Sequence, residues 1–153
     1  MEPRKNTKIL LAATMGGHLT EGLELVGGIP DTTLIIATEH SSRISELKYK
    51  TYPLKVSASM PVYFGVNFIK LFLIIIKERP DWIVTTGAEC GLIAVIAGRI
   101  LLRKTIFIET VTRYKNKTKA AALCYPLVHK FYVQHAEALL LFGKKAEYIG
   151  GLF

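Results

Sequence analysis

Hydrophobic positions along the chain fall into short β-branched runs, apolar throughout, that alternate with longer stretches where apolar residues recur every three or four positions. Runs that are apolar on both faces and end in turn residues are what a parallel sheet covered on both sides requires. They predict strands at 7–13, 32–38, 51–56, 82–85, 105–109 and 131–133. Between them the longer pattern predicts helices at 19–26, 41–48, 62–77, 92–102, 118–129 and 136–142. The repeated βα order predicts an α/β fold: an open, doubly wound, mostly parallel Rossmann-like sheet, in a single domain spanning 1–153. Val26-Gly27-Gly28-Ile29-Pro30-Asp31 reads as a helix end followed by a turn, not as a linker.

One predicted helix, 62–77, is apolar well beyond the needs of a core-facing stripe. Asn67, Lys70 and Lys77 form a narrow polar stripe on it, and nearly everything else from Val66 to Ile76 is aliphatic or aromatic. With Tyr63 and Phe64 at its start, the pattern predicts an in-plane membrane contact through Phe64, Phe68, Phe72, Leu73 and Ile76. A helix sandwiched inside the domain, or against a protein partner, satisfies the same pattern. The longest apolar runs, 68–76 and 92–102, are interrupted by Lys70 and Arg99 and fall short of the roughly 18 residues of a spanning helix, so none is expected to cross a bilayer. No secretory pattern opens the sequence.

Composition narrows the picture. In 153 residues, 50% are hydrophobic and 21% charged, which excludes a disordered chain, and the length excludes a large two-domain enzyme. Lys and Arg number 20 against 12 acids, a net charge of +8, which favours an anionic partner: nucleic acid, anionic lipid or a sugar phosphate. No zinc, helix-turn-helix, KH or RNP pattern accompanies the charge, so nucleic acid is not expected. Cys90 and Cys124 lie in apolar surroundings without metal-like spacing and are expected to be buried free thiols, as suits a reducing cytosol. His40, His129 and His135 also lack such spacing and read as structural, and no metal site is expected.

The crevice of a doubly wound sheet lies beyond the carboxyl ends of its strands, so the residues just after each strand carry the chemistry. After the first comes Thr14-Met15-Gly16-Gly17-His18-Leu19-Thr20-Glu21, whose glycines bring backbone N–H groups at a helix start toward an anion. The run is not GxGxxG, and Glu39 alone does not argue for a dinucleotide. His18 sits where the helix dipole favours the neutral imidazole, fit for a general base or for a cap. Thr85-Thr86-Gly87-Ala88-Glu89-Cys90-Gly91 is a second small-residue turn opening a helix. Glu89 and Glu109 are candidate carboxylates for sugar hydroxyls or a proton, or else cap a helix or pair with Arg113. The basic run 113–119 leads into an apolar stretch and suits either anionic lipid and a lipid pyrophosphate or plain solvent.

Taken together, residues 13–21, Thr85-Thr86-Gly87-Ala88-Glu89, Ile108-Glu109-Thr110-Val111-Thr112-Arg113, Tyr132-Val133-Gln134 and Gly150-Gly151-Leu152-Phe153 resemble the PssD/CpsF-like polysaccharide biosynthesis proteins. That family includes the membrane-recruiting subunit of the split N-acetylglucosaminyltransferase of lipid-linked oligosaccharide assembly. The resemblance runs through the whole chain in order. It implies the N-terminal, acceptor-side half of a GT-B glycosyltransferase, peripheral on the cytoplasmic membrane face and inactive alone. Its UDP-sugar-binding half would be a separate polypeptide. The first glycine loop is also similar to that of MurG-type enzymes, whose acceptor is a polyprenyl-diphosphate sugar.

Position by position, the resemblance implies that Gly16, Gly17 and His18 line the acceptor pyrophosphate and the reaction centre. Gly87, Ala88 and Glu89 would face them, and Glu109 and Arg113 would complete the wall. His18, then Glu109, are the candidate bases. Gly150, Gly151, Leu152 and Phe153 would meet the donor-binding partner. No cofactor is implied. Two departures stand out: His135-Ala136 replaces the usual Trp-Pro, and the N-terminal anchor of eukaryotic relatives is not seen, which leaves attachment to the amphipathic surface. Two other functions fit the residues: a non-catalytic membrane scaffold for the partner, and a free-standing nucleotide-binding module.

Overall fold

The structure is a computed structural model that describes residues 6–112 and 115–151. Seven strands form one sheet: β1 Thr7–Ala12, β2 Thr32–Glu39, β3 Lys50–Leu54, β4 Trp82–Thr85, β5 Lys104–Ile108, β6 Lys130–Val133 and β7 Ala146–Tyr148. The helices are α1 Gly17–Val26, α2 Met60–Glu78, α3 Ala88–Ile100 and α4 Lys119–Cys124, with 3-10 turns at Ser42–Glu46 and Ala136–Leu141. The strand order is β3-β2-β1-β4-β5-β6-β7, and every neighbouring pair is parallel. The chain winds outward from β1 to β3, α2 carries it back, and β4 pairs with the free side of β1 before the winding continues to β7. The direction therefore reverses between β1 and β4, and the crevice opens where the loops after those two strands part.

Period-two alternation splits each central strand between two cores. Leu10 and Ala12 of β1 join Ile35, Ile83 and the inner faces of α2 and α3 on one side. Ile9, Leu11 and Ala13 join Ile36, Val84 and the inner face of α1 on the other. A third cluster fills the β5–β6 end, where the Phe107 and Phe131 rings stack with centroids 5.0 Å apart. Among the described residues the sheet is left open between α1 and the segment after β7, giving an apolar groove of about 640 Å³ floored by Ile9, Val84, Ile106, Ile108 and Tyr132 and edged by Ile149.

Several predicted elements are shorter than their patterns, for local reasons. The segment predicted as a helix at 41–48 is only a 3-10 turn, because Ser41 accepts from the Arg43 N–H and the Ser45 hydroxyl donates to the Ser42 carbonyl. Helix α4 ends at Cys124 where the pattern predicts 129, since Pro126 cannot continue it. The predicted helix at 136–142 is also a 3-10 turn. Strand β7 is three residues long and carried no period-two signal. Helix α3 begins at Ala88, earlier than expected, so the second small-residue turn is its first turn.

Helix α2 corrects two readings. Asn67 is not part of a solvent-facing polar stripe: it is fully buried, its Oδ1 accepting from the Lys55 N–H at 2.8 Å and its Nδ2 donating to the Lys55 carbonyl at 2.9 Å. The helix also runs 19 residues with a mean hydropathy of 1.6 in its apolar window, so by length and composition it is long enough to cross a bilayer, contrary to the reading of the interrupted runs. Charged residues break an apolar run without breaking a helix. Its inner face is held to the rest of the fold: Tyr63, Leu71, Ile74 and Ile75 pack into the core. At its foot, buried Glu78 accepts from Lys50 and Tyr52.

Candidate functional site

The loops after β1 and β4 are built alike. Gly16 caps α1 with φ 103° and ψ −137°, and Gly87 caps α3 with φ 118° and ψ −156°; neither cap uses a side chain. These angles favour glycine, and they turn the first N–H groups of both helices toward the crevice. Ala88 follows at φ 60°, a left-handed conformation that costs a residue with a side chain about 1–2 kcal/mol. Gly91 lets α3 lie close on β4, since a Cβ there would stand 2.0 Å from Thr85 Oγ1.

The two loops are tied through His18. Its Nδ1 lies 3.0 Å from the Thr86 carbonyl, and the Thr86 hydroxyl donates to the His18 carbonyl at 2.8 Å. A carbonyl only accepts, so Nδ1 carries the proton and Nε2 is the acceptor of the neutral ring. The ring is thereby fixed in the tautomer a base needs. It lines two adjoining cavities. One, of about 270 Å³, is lined by His18, Gly87, Ala88, Glu89, Glu109 and Lys119 among others. The other, of about 390 Å³, runs from Gly17 and His18 past Glu21 to Val111 and Thr112.

The third wall is the segment after β5. Glu109 is buried, and its Oε1 accepts from the Thr110 N–H at 3.1 Å. Glu21, on α1 one turn beyond His18, is also buried; it accepts from the Val111 N–H at 2.7 Å and from the Gln134 amide. Gln134 donates in addition to the Glu109 carbonyl at 3.1 Å, and His135 Nε2 meets the Val111 carbonyl at 2.6 Å. This network pins residues 109–111 against α1. Glu21 and Gln134 sit within the crevice motifs without an expected role, and their signal in the sequence is a polar side chain at a position the apolar pattern leaves for the core.

The structure thus gathers Gly17, His18, Gly87, Ala88, Glu89 and Glu109 at one crevice, with Gly16 behind them as the cap of α1 and Glu89 exposed on the first turn of α3. Arg113, Leu152 and Phe153 lie outside the described residues. Gly150, at φ 88°, and Gly151 directly follow Ile149, which edges the open groove. The α2 residues divide: Leu73 and Ile76 are exposed, whereas Phe64, Phe68 and Phe72 are half-buried against the core. Val62 and Ile69 complete the exposed stripe.

Cys90 and Cys124 are free and buried as expected. Burial drives the Cys90 thiol far above its ordinary range and the Cys124 thiol to about 12, so neither is a ready nucleophile. His129 is structural: its Nδ1 accepts from the Thr105 N–H at 3.1 Å, and desolvation, then Arg99, pull its pKa down. Among the described residues no cluster of His, Cys, Asp or Glu has the form of a metal site.

The fold has many relatives among solved structures. MurG of Acinetobacter baumannii superposes with a TM-score of 0.79 at 10% identity over 95% of this chain and 45% of its own. MnaA of S. aureus, solved with UDP, gives 0.77 at 15% identity over 95% and 45%. UDP-GlcNAc 2-epimerase of Methanocaldococcus jannaschii gives 0.73 at 15% over 95% and 46%. No protein-family model and no curated protein sequence matches the chain. At these identities the likeness shows the fold: the chain is an α/β, Rossmann-like half-domain that corresponds to one half of GT-B-like proteins. It spans about half the length of the structures it matches.

Proposed function

We propose that this chain is the acceptor-side, membrane-seated half of a two-chain glycosyltransferase of the PssD/CpsF-like kind. In this reading it binds a polyprenyl-diphosphate-linked sugar at the cytoplasmic membrane face, and a separate catalytic subunit brings the UDP-sugar. The observation that carries it is His18, fixed by Thr86 with Nε2 as acceptor, at a cavity between two glycine-capped helix starts. Helix N–H groups and Lys119 suit the phosphates of the acceptor. As the donor's anomeric carbon gains positive charge the acceptor hydroxyl must lose its proton, which is the work of a positioned neutral base. Glu109 is the second candidate for that role.

The other elements of the reading have their own support. The exposed aliphatic stripe of α2 suits a bilayer surface. A parallel sheet normally has both faces covered, and the open groove beside Gly150 and Gly151 suits a helix or loop of the donor-binding partner. In an assay of the two chains together, His18→Ala is expected to lower kcat about a hundredfold. An unchanged rate removes His18 from the mechanism. Full turnover of a UDP-sugar by this chain alone overturns the two-chain reading.

The likeness to UDP-GlcNAc 2-epimerases favours one alternative, a free-standing sugar-nucleotide-binding module. Calorimetric titration of the isolated chain with UDP-GlcNAc separates the two, since only the alternative expects saturable binding. A scaffold without acceptor binding is distinguished by partner and vesicle binding with no affinity for the polyprenyl-diphosphate sugar.

A further inference from the structure

We propose that the groove between β3 and α2 seats the anionic head groups of bilayer phospholipids, with Lys55, Lys70 and Lys77 as its cationic lip. The inference rests on the membrane reading above and assigns the head-group contact to a place other than the basic run 115–119. Two cavities, of about 550 and 290 Å³, share Pro53 and Lys70 and so form one trough along α2. His40 and Lys55 stand at one end, Lys70 in the middle and Lys77 at the other, and among the described residues no carboxylate lines either cavity.

The lysines of this trough differ from the two at the foot of the same helix. Lys8 and Lys50 are paired with Glu78. None of Lys55, Lys70 and Lys77 joins an ion pair among the described residues. Lys70 reaches only the Pro53 carbonyl, at 3.3 Å, and Lys77 lies over the Tyr52 ring at 5.6 Å. Their charge is left for a partner.

The stereochemistry of α2 says which partner. At 3.6 residues per turn, Val62, Ile69, Leu73 and Ile76 fall on one line of the helix, and Lys70 and Lys77 lie along one flank of that line. All four aliphatic side chains are exposed. An apolar line with cations along its border is the arrangement by which a helix lies in a bilayer surface, its side chains in the acyl region and its lysines at the phosphates. An acidic protein surface would answer the lysines and leave the aliphatic line in contact with charge.

The test is flotation of the full chain on vesicles of phosphatidylcholine alone and of an equimolar mixture with phosphatidylglycerol. The wild type is expected to prefer the mixture. Lys55→Gln combined with Lys70→Gln is expected to weaken binding to the mixture roughly thirtyfold and leave binding to phosphatidylcholine unchanged, at about 1 kcal/mol per lysine. Lys115→Gln with Lys117→Gln, the matched control, should stay within about twofold of wild type on the same scale. Both lysine pairs are exposed, so circular dichroism should be that of wild type. Equal binding of wild type to the two vesicle types, or full retention by the groove variant, overturns the head-group assignment and leaves the membrane reading standing. A wild type that floats with neither overturns both, and Leu73→Glu, expected to abolish flotation on each, isolates the contribution of the helix.

Discussion

The two ends of the sheet handle buried polar groups in opposite ways. At the foot, Glu78 is enclosed by Lys50, Tyr52 and Lys8, so its charge is consumed in holding α2 to β3 and β1. At the carboxyl end, Glu21 and Gln134 hold a loop in place, while His18 has one ring nitrogen committed to Thr86 and keeps the other as an acceptor over a cavity. A polar cluster that closes on itself stabilises; one that stops short leaves a group for chemistry. The carboxyl end also holds the strained Ala88, whereas the foot's residues of positive φ in the same helix layer, Arg79 and Leu102, merely follow the ends of α2 and α3.

The largest expected effect lies with Glu21. Glu21→Ala strands the Val111 N–H and opens the packing under residues 109–111, so urea unfolding should register a loss of about 2–3 kcal/mol. Glu21→Gln, which retains an acceptor oxygen, should recover at least half of it. If Glu21→Ala costs nothing, the clamp at the carboxyl end does not exist and the contrast with the foot collapses.

Next comes Glu78→Gln, with about 1–2 kcal/mol lost at neutral pH, since Lys50 is largely exposed and part of the interaction is screened. The hydrogen bond from Lys50, then that from Tyr52, holds the carboxyl below its ordinary value of 4.5 in the folded state. A depressed folded pKa contributes stability above the unfolded value and loses it as pH falls through the folded one. The gap between wild type and variant should therefore be constant at neutral pH and close on acidification below 4.5. A gap that stays open in acid would mean that Glu78 acts through packing instead of charge.

The smallest effect separates the two glycine loops. Gly16→Ala and Gly87→Ala should each cost about 1 kcal/mol through the positive φ. A Cβ at Gly16 meets open space, whereas one at Gly87 stands 3.6 Å from His18 Cε1. Only Gly87→Ala should move the imidazole resonances of His18 in an NMR spectrum. Equal shifts from both would show that the first loop, too, controls the ring.

Much of this was legible in the residue pattern. Short apolar runs such as Ile9-Leu10-Leu11-Ala12 and Leu34-Ile35-Ile36-Ala37, bounded by turn residues and rich in branched side chains, read as strands covered on both faces, and the crevice loops follow from the strand ends. The failures were local competitions: serine hydroxyls shortening one helix, a proline another, and a three-residue edge strand too brief to carry a period. In α2 a buried asparagine looked like a surface residue, because nothing in the order of residues says that Asn67 finds both groups of the Lys55 backbone.

The sequence by itself determined the fold class and the loops that could matter, because hydrophobic periodicity and glycine placement act over a few neighbouring residues. Only the tertiary structure decided that Thr86 fixes the His18 tautomer, that Glu21 and Gln134 brace the opposite wall, and that Lys55 joins Lys70 along one trough. Those contacts join residues far apart in the chain. Their geometry depends on strand order and register, which no local pattern encodes.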